Sequence, residues 1–302
     1  MGKHTELHYE EEGNFLSHFG ERAHIFFKHY FPNKTKNHPK NVIHVIFQHG
    51  MIEYHKRHEE LFDTLRLKFG KKIIISTMDI LGHGLSGGHR AYVDQFETFQ
   101  KDMNKFFEIC HERISPEYNT KTFLISHSLG GLISLRTLTD ENLKLPFPID
   151  GLIFCNPCIS PKLELPSIAV KTMDHIPSTL NRVRVPLIYD AYDLSHDEEK
   201  AISFMHDHLI SKSITIKLGI ETLRACKHVN SLSYFLTIPC FFILSGDDRV
   251  VDNEKAQLFI TGMDKNLVKV KYYPNMRHDI LNETCRNDVF GEIINYIESF
   301  RK

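Results

Sequence analysis

Residues 122–131 read Thr-Phe-Leu-Ile-Ser-His-Ser-Leu-Gly-Gly (TFLISHSLGG). Phe123, Leu124 and Ile125 form a short apolar run, the pattern of a buried strand. Gly130 and Gly131 follow at once, and Leu132, Ile133 and Leu135 open a helical spacing. Between them sits Ser128, in the frame Ser126-His127-Ser128-Leu129-Gly130. This is the strand–turn–helix setting of a nucleophile elbow, G-x-S-x-G, with serine at its first glycine position. The turn strains its central residue, so the positions two before and two after must be small, and Ser126 and Gly130 both are. A serine framed in this way is a candidate nucleophile; an ordinary loop serine is the alternative that the rest of the chain has to decide.

Outward from this stretch the chain alternates. Apolar runs at 42–47 (VIHVIF), 73–75, 149–155, 239–244 (PCFFIL) and 267–273 read as strands. Helical periodicity fills 56–69, 96–114, 252–261 and the end of the chain, where Val289, Ile293, Ile297 and Phe300 share a face. Residues 5–10 and 22–31 read as two strands joined through 13–20, an antiparallel opening. The fold class is therefore α/β, a mostly parallel central sheet with helices on both faces. Such a sheet binds ligand at the carboxyl ends of its strands, where Gly50, Gly82, Ser128 and Asn156 all fall.

From 159 to 233 the alternation breaks, and Pro161, Pro166, Pro177 and Pro186 punctuate the first part. Ile202, Met205 and Leu209 fit one helix face, and Ile216, Ile220 and Leu223 another. The stretch is too long for a usual crossover. It reads as a helical cap inserted into a core formed by 1–158 and 234–302.

A chain of 302 residues with 41% hydrophobic and 25% charged residues has the make-up of a globular protein with a full core. A formal net charge of −1 gives no electrostatic reason to expect nucleic acid as a partner. No apolar run approaches the roughly 20 residues that span a bilayer. The opening MGKHTELHYEEEGNF has no apolar signal core, and Glu6 breaks the myristoylation pattern. Six cysteines are scattered, and Cys155-x-x-Cys158 has no second pair to complete a thiolate zinc site. Reduced core thiols, a cytoplasmic location, and no metal or cofactor are the expectations.

A serine hydroxyl attacks only when a base takes its proton and a carboxylate orients that base. Asp248 follows the 239–244 strand and His278 follows the last strand. The order Ser128, Asp248, His278 is the one expected of an elbow serine on this sheet. Asp247 and Asp252 are rivals to Asp248, but Asp247 suits the turn and Asp252 a helix cap. Backbone N–H groups of Leu129 and Met51 are the expected donors to a developing oxyanion. The Gly-rich loop at 82–88 lacks the lysine and glycine spacing of a phosphate loop and reads as structural.

Taken together these blocks resemble the α/β-hydrolase superfamily, and more narrowly its monoacylglycerol lipase and lysophospholipase group. The resemblance rests on His49-Gly50-Met51-Ile52-Glu53-Tyr54-His55 and on Asp79-Ile80-Leu81-Gly82-His83-Gly84-Leu85-Ser86-Gly87-Gly88. It rests also on the elbow SHSLGG, on Gly246-Asp247-Asp248-Arg249 and on the surroundings of His278, all in order over roughly 20–300. It departs from the group at Ser126, where the group has glycine, and its cap is only weakly similar. The resemblance implies an α/β-hydrolase fold and hydrolysis of a single-chain lipid ester, a monoacylglycerol or lysophospholipid. It implies Ser128 as nucleophile, His278 as base and Asp248 as orienting acid. An apolar cap would also allow transient membrane contact. Oligomeric state stays open. A carboxylesterase for short soluble esters and a non-catalytic protein that keeps the fold are the alternatives.

Overall fold

The computed structural model of the chain describes residues 8–19, 23–33, 39–114, 116–162, 177–187, 189–231, 233 and 236–300. Its strands are β1 (His8–Leu16), β2 (His24–Pro32), β3 (Asn41–Gln48), β4 (Ile73–Met78), β5 (Asn119–His127), β6 (Gly151–Cys155), β7 (Arg184–Pro186), β8 (Ser213–Thr215), β9 (Cys240–Ser245) and β10 (Val268–Tyr273). All but β7 and β8 form one sheet in the order β1-β2-β4-β3-β5-β6-β9-β10. Every pair from β4 to β10 is parallel, and the β1–β2 and β2–β4 pairs are antiparallel.

The central position of β5 follows from its composition. Phe123, Leu124 and Ile125 are all but completely buried, and a strand with no polar face is stable only when both faces are covered. Each such side chain contributes about 1.5–3 kcal/mol on burial. Strand alternation sends Val45, Phe47, Phe123, Ile125, Ile153 and Phe241 to one face. There they meet the apolar stripes of α1 (Glu59–Phe69) and α8 (Arg286–Ser299). Ile46, Leu124, Leu152, Phe154 and Phe242 go to the other face. That face is covered by α2 (Glu97–Arg113), α3 (Leu129–Leu138) and α7 (Asn253–Thr261).

Asp252 caps α7, its side chain accepting the Lys255 N–H at 3.1 Å, as the sequence suggested. At the amino end one boundary differs from the sequence reading, of which residues 5–7, 20 and 22 lie outside the described residues. Strand β1 runs through Gly13 to Leu16, so Gly13 is a strand residue paired with Phe27 and not part of a turn. The Phe27 ring occupies the space that a Cβ at Gly13 would need.

The 159–233 stretch holds α4 (Ala191–Leu194), α5 (Glu198–His206) and α6 (Ile216–Val229), and Pro166 falls in its undescribed part, 163–176. It is not wholly helical: β7 and β8 pair as an antiparallel ribbon. The inward face of α5 also differs from the expected one. Ile202 and Met205 are 46% and 40% exposed, and Leu209 lies beyond the helix end, whereas Ala201 and Phe204 are buried. The apolar spacing was real, but Phe204 and Ala201 took the inner side because Phe204 packs against Arg57 of the core. On α6 the face of Ile216, Ile220 and Leu223 does turn inward, onto a cavity.

Candidate active site

Four loops that leave the carboxyl ends of β3, β5, β9 and β10 meet over the middle of the sheet. Ser128 stands between β5 and α3 with φ +50° and ψ −119°, a conformation that costs a side-chain-bearing residue about 1–3 kcal/mol. Its backbone is held from both sides. Its N–H donates to Cys155 O at 3.1 Å, and its carbonyl accepts from Gly131 and Cys158 N–H, each at 2.9 Å. The small neighbours have physical causes. A Cβ at Gly130 would run into the carbonyls of Gln48 and His49, and one at Gly131 into Pro157. Ser126 fits because its hydroxyl is buried against Ser134 Oγ at 2.7 Å, where a larger side chain would displace α3.

His278 Nε2 lies 2.8 Å from Ser128 Oγ, and its Nδ1 lies 2.7 Å from Asp248 Oδ2. A carboxylate can only accept, so Nδ1 carries the proton and Nε2 is the acceptor for the serine hydroxyl. Asp248 is itself fixed. Its Oδ1 accepts the N–H groups of Val250 and Val251, both at 2.8 Å, and Asn253 Nδ2 donates to Oδ2 at 3.2 Å. Of its rivals, Asp252 caps α7 and Asp247 is half-buried on the turn beside Arg249 and Arg277. The structure thus brings Ser128, His278 and Asp248 into one hydrogen-bonded chain, with all three side chains buried.

Met51 and Leu129 line the cavity beside Ser128. Neither of their N–H groups is taken by a backbone carbonyl among the described residues. Leu129 is the first residue of α3, whose amino end is the positive pole of the helix. The Met51 loop is set by His49, whose Nε2 accepts the Ile80 N–H at 2.9 Å while Nδ1 donates to Gly50 O at 2.8 Å. Both ring nitrogens are thereby satisfied in the neutral form, which burial also favours by lowering the His49 pKa. The 82–88 loop is structural. Asp79 accepts from His55 N and Nδ1 and from Leu85 N, at 2.8–2.9 Å.

Several residues at the site were present in the sequence motifs without an assigned role. Asn156, at φ +43°, donates to His278 O at 2.7 Å and to Ser245 Oγ at 2.8 Å, tying the base loop to β9. Glu53 Oε1 accepts from Gly50 N–H at 2.6 Å and from His127 Nδ1 at 2.7 Å. Burial would raise the Glu53 carboxyl, but the His58 and His127 imidazoles pull it well below the usual range. Asp279 is likewise held low against burial, chiefly by Arg57, whose Nη2 is 2.6 Å away. A signal was available: His127 stands within the elbow and Glu53 within the loop carrying Met51. Their pairing is not visible in either motif alone.

Among the described residues, Glu53, His58 and His127 bring one ligand atom each within 4.8 Å of one another. They do not suit a metal. Glu53 Oε1 already accepts two N–H groups, and Arg57 Nε lies 3.6 Å from Oε2, so positive charge is already in place.

The serine opens onto a cavity of about 450 Å³ whose lining is almost wholly apolar. Ile216, Ile220 and Leu223 of α6, with Phe204 and Leu187 of the insertion, face Val250 and Leu129 of the core across it. Chemically, the arrangement can raise a nucleophilic hydroxyl, return its proton to a leaving group, and hold an apolar chain next to both.

A family model described as "Serine aminopeptidase, S33" (Hydrolase_4) matches residues 38–285. The monoglyceride lipase of Mus musculus is 25% identical over 281 residues, 90% of this chain and 86% of that one. Phospholipase YtpA of Bacillus subtilis is 23% identical, over 82% of this chain and 91% of its own. Among solved structures, a soluble variant of the Saccharomyces cerevisiae monoglyceride lipase with a substrate analogue superposes with TM-score 0.74 at 19% identity. That match covers 97% of this chain and 96% of the yeast one. A carboxyl esterase from Bacillus coagulans, solved with glycerol, gives TM-score 0.77 at 18% identity over 96% and 98% of the two chains.

Proposed function

The chain belongs to the serine aminopeptidase S33 family and is a serine α/β-hydrolase of the monoglyceride lipase and lysophospholipase type; on that premise we propose that it cleaves single-chain lipid esters through an acyl-enzyme. In this reading Ser128 attacks the ester carbonyl while His278 takes its proton. Asp248 fixes the tautomer, and the N–H groups of Met51 and Leu129 receive the oxyanion. His278 then returns the proton to the departing alcohol, and water repeats the sequence on the acyl-enzyme. The insertion acts as a cap whose inner face holds the acyl chain.

The observation that carries this reading is the apolar cavity opening directly onto the 2.8 Å Ser128–His278 contact. A volume of about 450 Å³ lies within the span of small-ligand sites, and its lining offers an acyl chain little but carbon. Leu180, Tyr192, Ile202 and Met205 are exposed on the outside of the insertion, and we read them as the surface that touches membranes transiently. No helix among the described residues is long and apolar enough to cross a bilayer. The cytoplasm is the proposed location, on the strength of the free thiols.

The test is Ser128→Ala with monooleoylglycerol as substrate. Turnover should fall by about three orders of magnitude or more, and a fluorophosphonate probe should label the wild type but not the variant. Retention of most activity refutes the assignment. A series of nitrophenyl esters separates lipid from short-ester hydrolysis, since an enzyme with this cavity should prefer the longer acyl chains.

A further inference from the structure

His127, the residue before the nucleophile, is fully enclosed, and both of its ring nitrogens face oxygen. Nδ1 is 2.7 Å from Glu53 Oε1 and Nε2 is 3.3 Å from the carbonyl of His278. Neither a carboxylate nor a carbonyl can donate a hydrogen. A neutral imidazole has one N–H, and would leave a bare nitrogen lone pair against one of these two oxygens. Only the imidazolium satisfies both.

We propose that His127 is a permanently protonated strut at working pH, a positioning residue that ties the oxyanion loop, the elbow and the base loop together through one charge. Its Nδ1–H holds Glu53, whose same oxygen accepts the Gly50 N–H next to Met51. Its Nε2–H holds the His278 carbonyl, which also accepts from Asn156 Nδ2 at 2.7 Å. The strut therefore sets the backbone on which the base is carried, without touching substrate.

The surroundings supply a balanced charge set. Facing His127 are Glu53 from the loop after β3, the His58 ring at 5.9 Å, and the His278 ring at 5.1 Å. Asp279 adds a second negative charge, and Arg57 stands against both carboxylates, at 3.6 Å from Glu53 and 2.6 Å from Asp279. Burial by itself would depress the His127 pKa, but the Glu53 carboxylate outweighs it and the group is held up to about 9. The proton is thus present below about pH 9 and leaves above it. Its loss breaks one of the two struts and lets the His278 loop relax, so activity has an alkaline limb that belongs to none of the three residues in the Ser128 relay.

This rests on the hydrolase reading, and the experiment keeps the two apart. The probe is p-nitrophenyl decanoate, with kcat/KM measured from about pH 6 to about pH 10.5 and the non-enzymatic rate subtracted. Wild type should lose activity with a midpoint near 9. Glu53→Gln removes the charge that retains the proton, and should move that limb down by about two pH units. His127→Gln should lower kcat/KM about tenfold or more and abolish the limb, because nothing at the position titrates. An active wild type with a flat alkaline profile, or a His127→Gln enzyme that keeps the limb, overturns the strut while leaving the hydrolase intact. Loss of labelling at Ser128 is a separate matter and bears on the hydrolase alone. Should the variants fail to fold, ¹⁵N-histidine NMR on the wild type decides the question. Two protonated ring nitrogens at about pH 8, assigned through the neighbouring Ser128 amide, support the strut; a single one overturns it.

Discussion

Replacing Asp248 by Asn changes one oxygen for an NH2 and should disable the enzyme by turning a neighbouring ring. The orientation of the new amide is decided by its surroundings. Its oxygen can stay at the Oδ1 position, where it keeps two backbone N–H bonds of 2.8 Å from Val250 and Val251. The reverse orientation would set an NH2 against both of those donors in order to keep the 3.2 Å bond from Asn253 and the 2.7 Å bond from His278 Nδ1, although the His278 ring can change tautomer and the two backbone donors cannot. Leaving buried donors unpaired costs about 1–3 kcal/mol each, so the first orientation prevails. The NH2 then faces His278 Nδ1, which must become an acceptor, and the ring proton moves to Nε2. That nitrogen lies 2.8 Å from Ser128 Oγ and can no longer take its proton. Loss of the correct tautomer is worth about 10⁴ in kcat in serine hydrolases of this logic, or roughly 5 kcal/mol at the transition state. The assay is single-turnover acylation by p-nitrophenyl decanoate, with thermal unfolding alongside. Unfolding should shift by no more than a few degrees, because the two backbone bonds survive. An Asp248→Asn enzyme that is well folded and keeps about a tenth or more of wild-type kcat would refute the tautomer argument.

Two further outcomes are expected. His29 Nδ1 and His44 Nε2 share Ser76 Oγ, at 2.7 and 2.8 Å, and the other nitrogen of each buried ring has no hydrogen-bond partner among the described residues. Burial lowers their pKa values to about 4 and about 3. Both are neutral in the fold but protonate near 6.5 when unfolded, so their contribution is complete above about pH 6.5 and is lost as pH falls below it. Between about pH 7.5 and about pH 4.5, urea unfolding of wild type should therefore lose roughly 2–3 kcal/mol more than His44→Val, whereas parallel curves would count against the account. Ser126→Ala should cost about 1 kcal/mol through the lost 2.7 Å bond to Ser134 and leave kcat within about twofold of wild type. A large fall in kcat would mean that the hydroxyl does more than fill the space.

Much of the core was legible in sequence because its signals are local. The apolar runs at 42–47, 123–125 and 239–244 can be satisfied only by burial on both faces, and they became β3, β5 and β9. The small residues around Ser128 and the chain order of Ser128, Asp248 and His278 carry the turn geometry and the loop positions with them. The insertion was harder to read. Its apolar residues are sparse enough that more than one face satisfies the spacing, and contact with the core chose Phe204 over Ile202 and Met205. The β7–β8 ribbon is three residues per strand, too short for alternation to show.

By itself the sequence determined which strands are enclosed, where the elbow turns, and which side chains end up at one edge of the sheet. These follow from hydrophobic period and residue size, which act between near neighbours in the chain. Only the tertiary structure decided that Glu53 reaches His127 across 74 positions and that both nitrogens of that ring face oxygen. Hydrogen bonds depend on direction and on distances of a few tenths of an ångström. Those are fixed when separate strands are laid side by side, and no pattern along the chain records them.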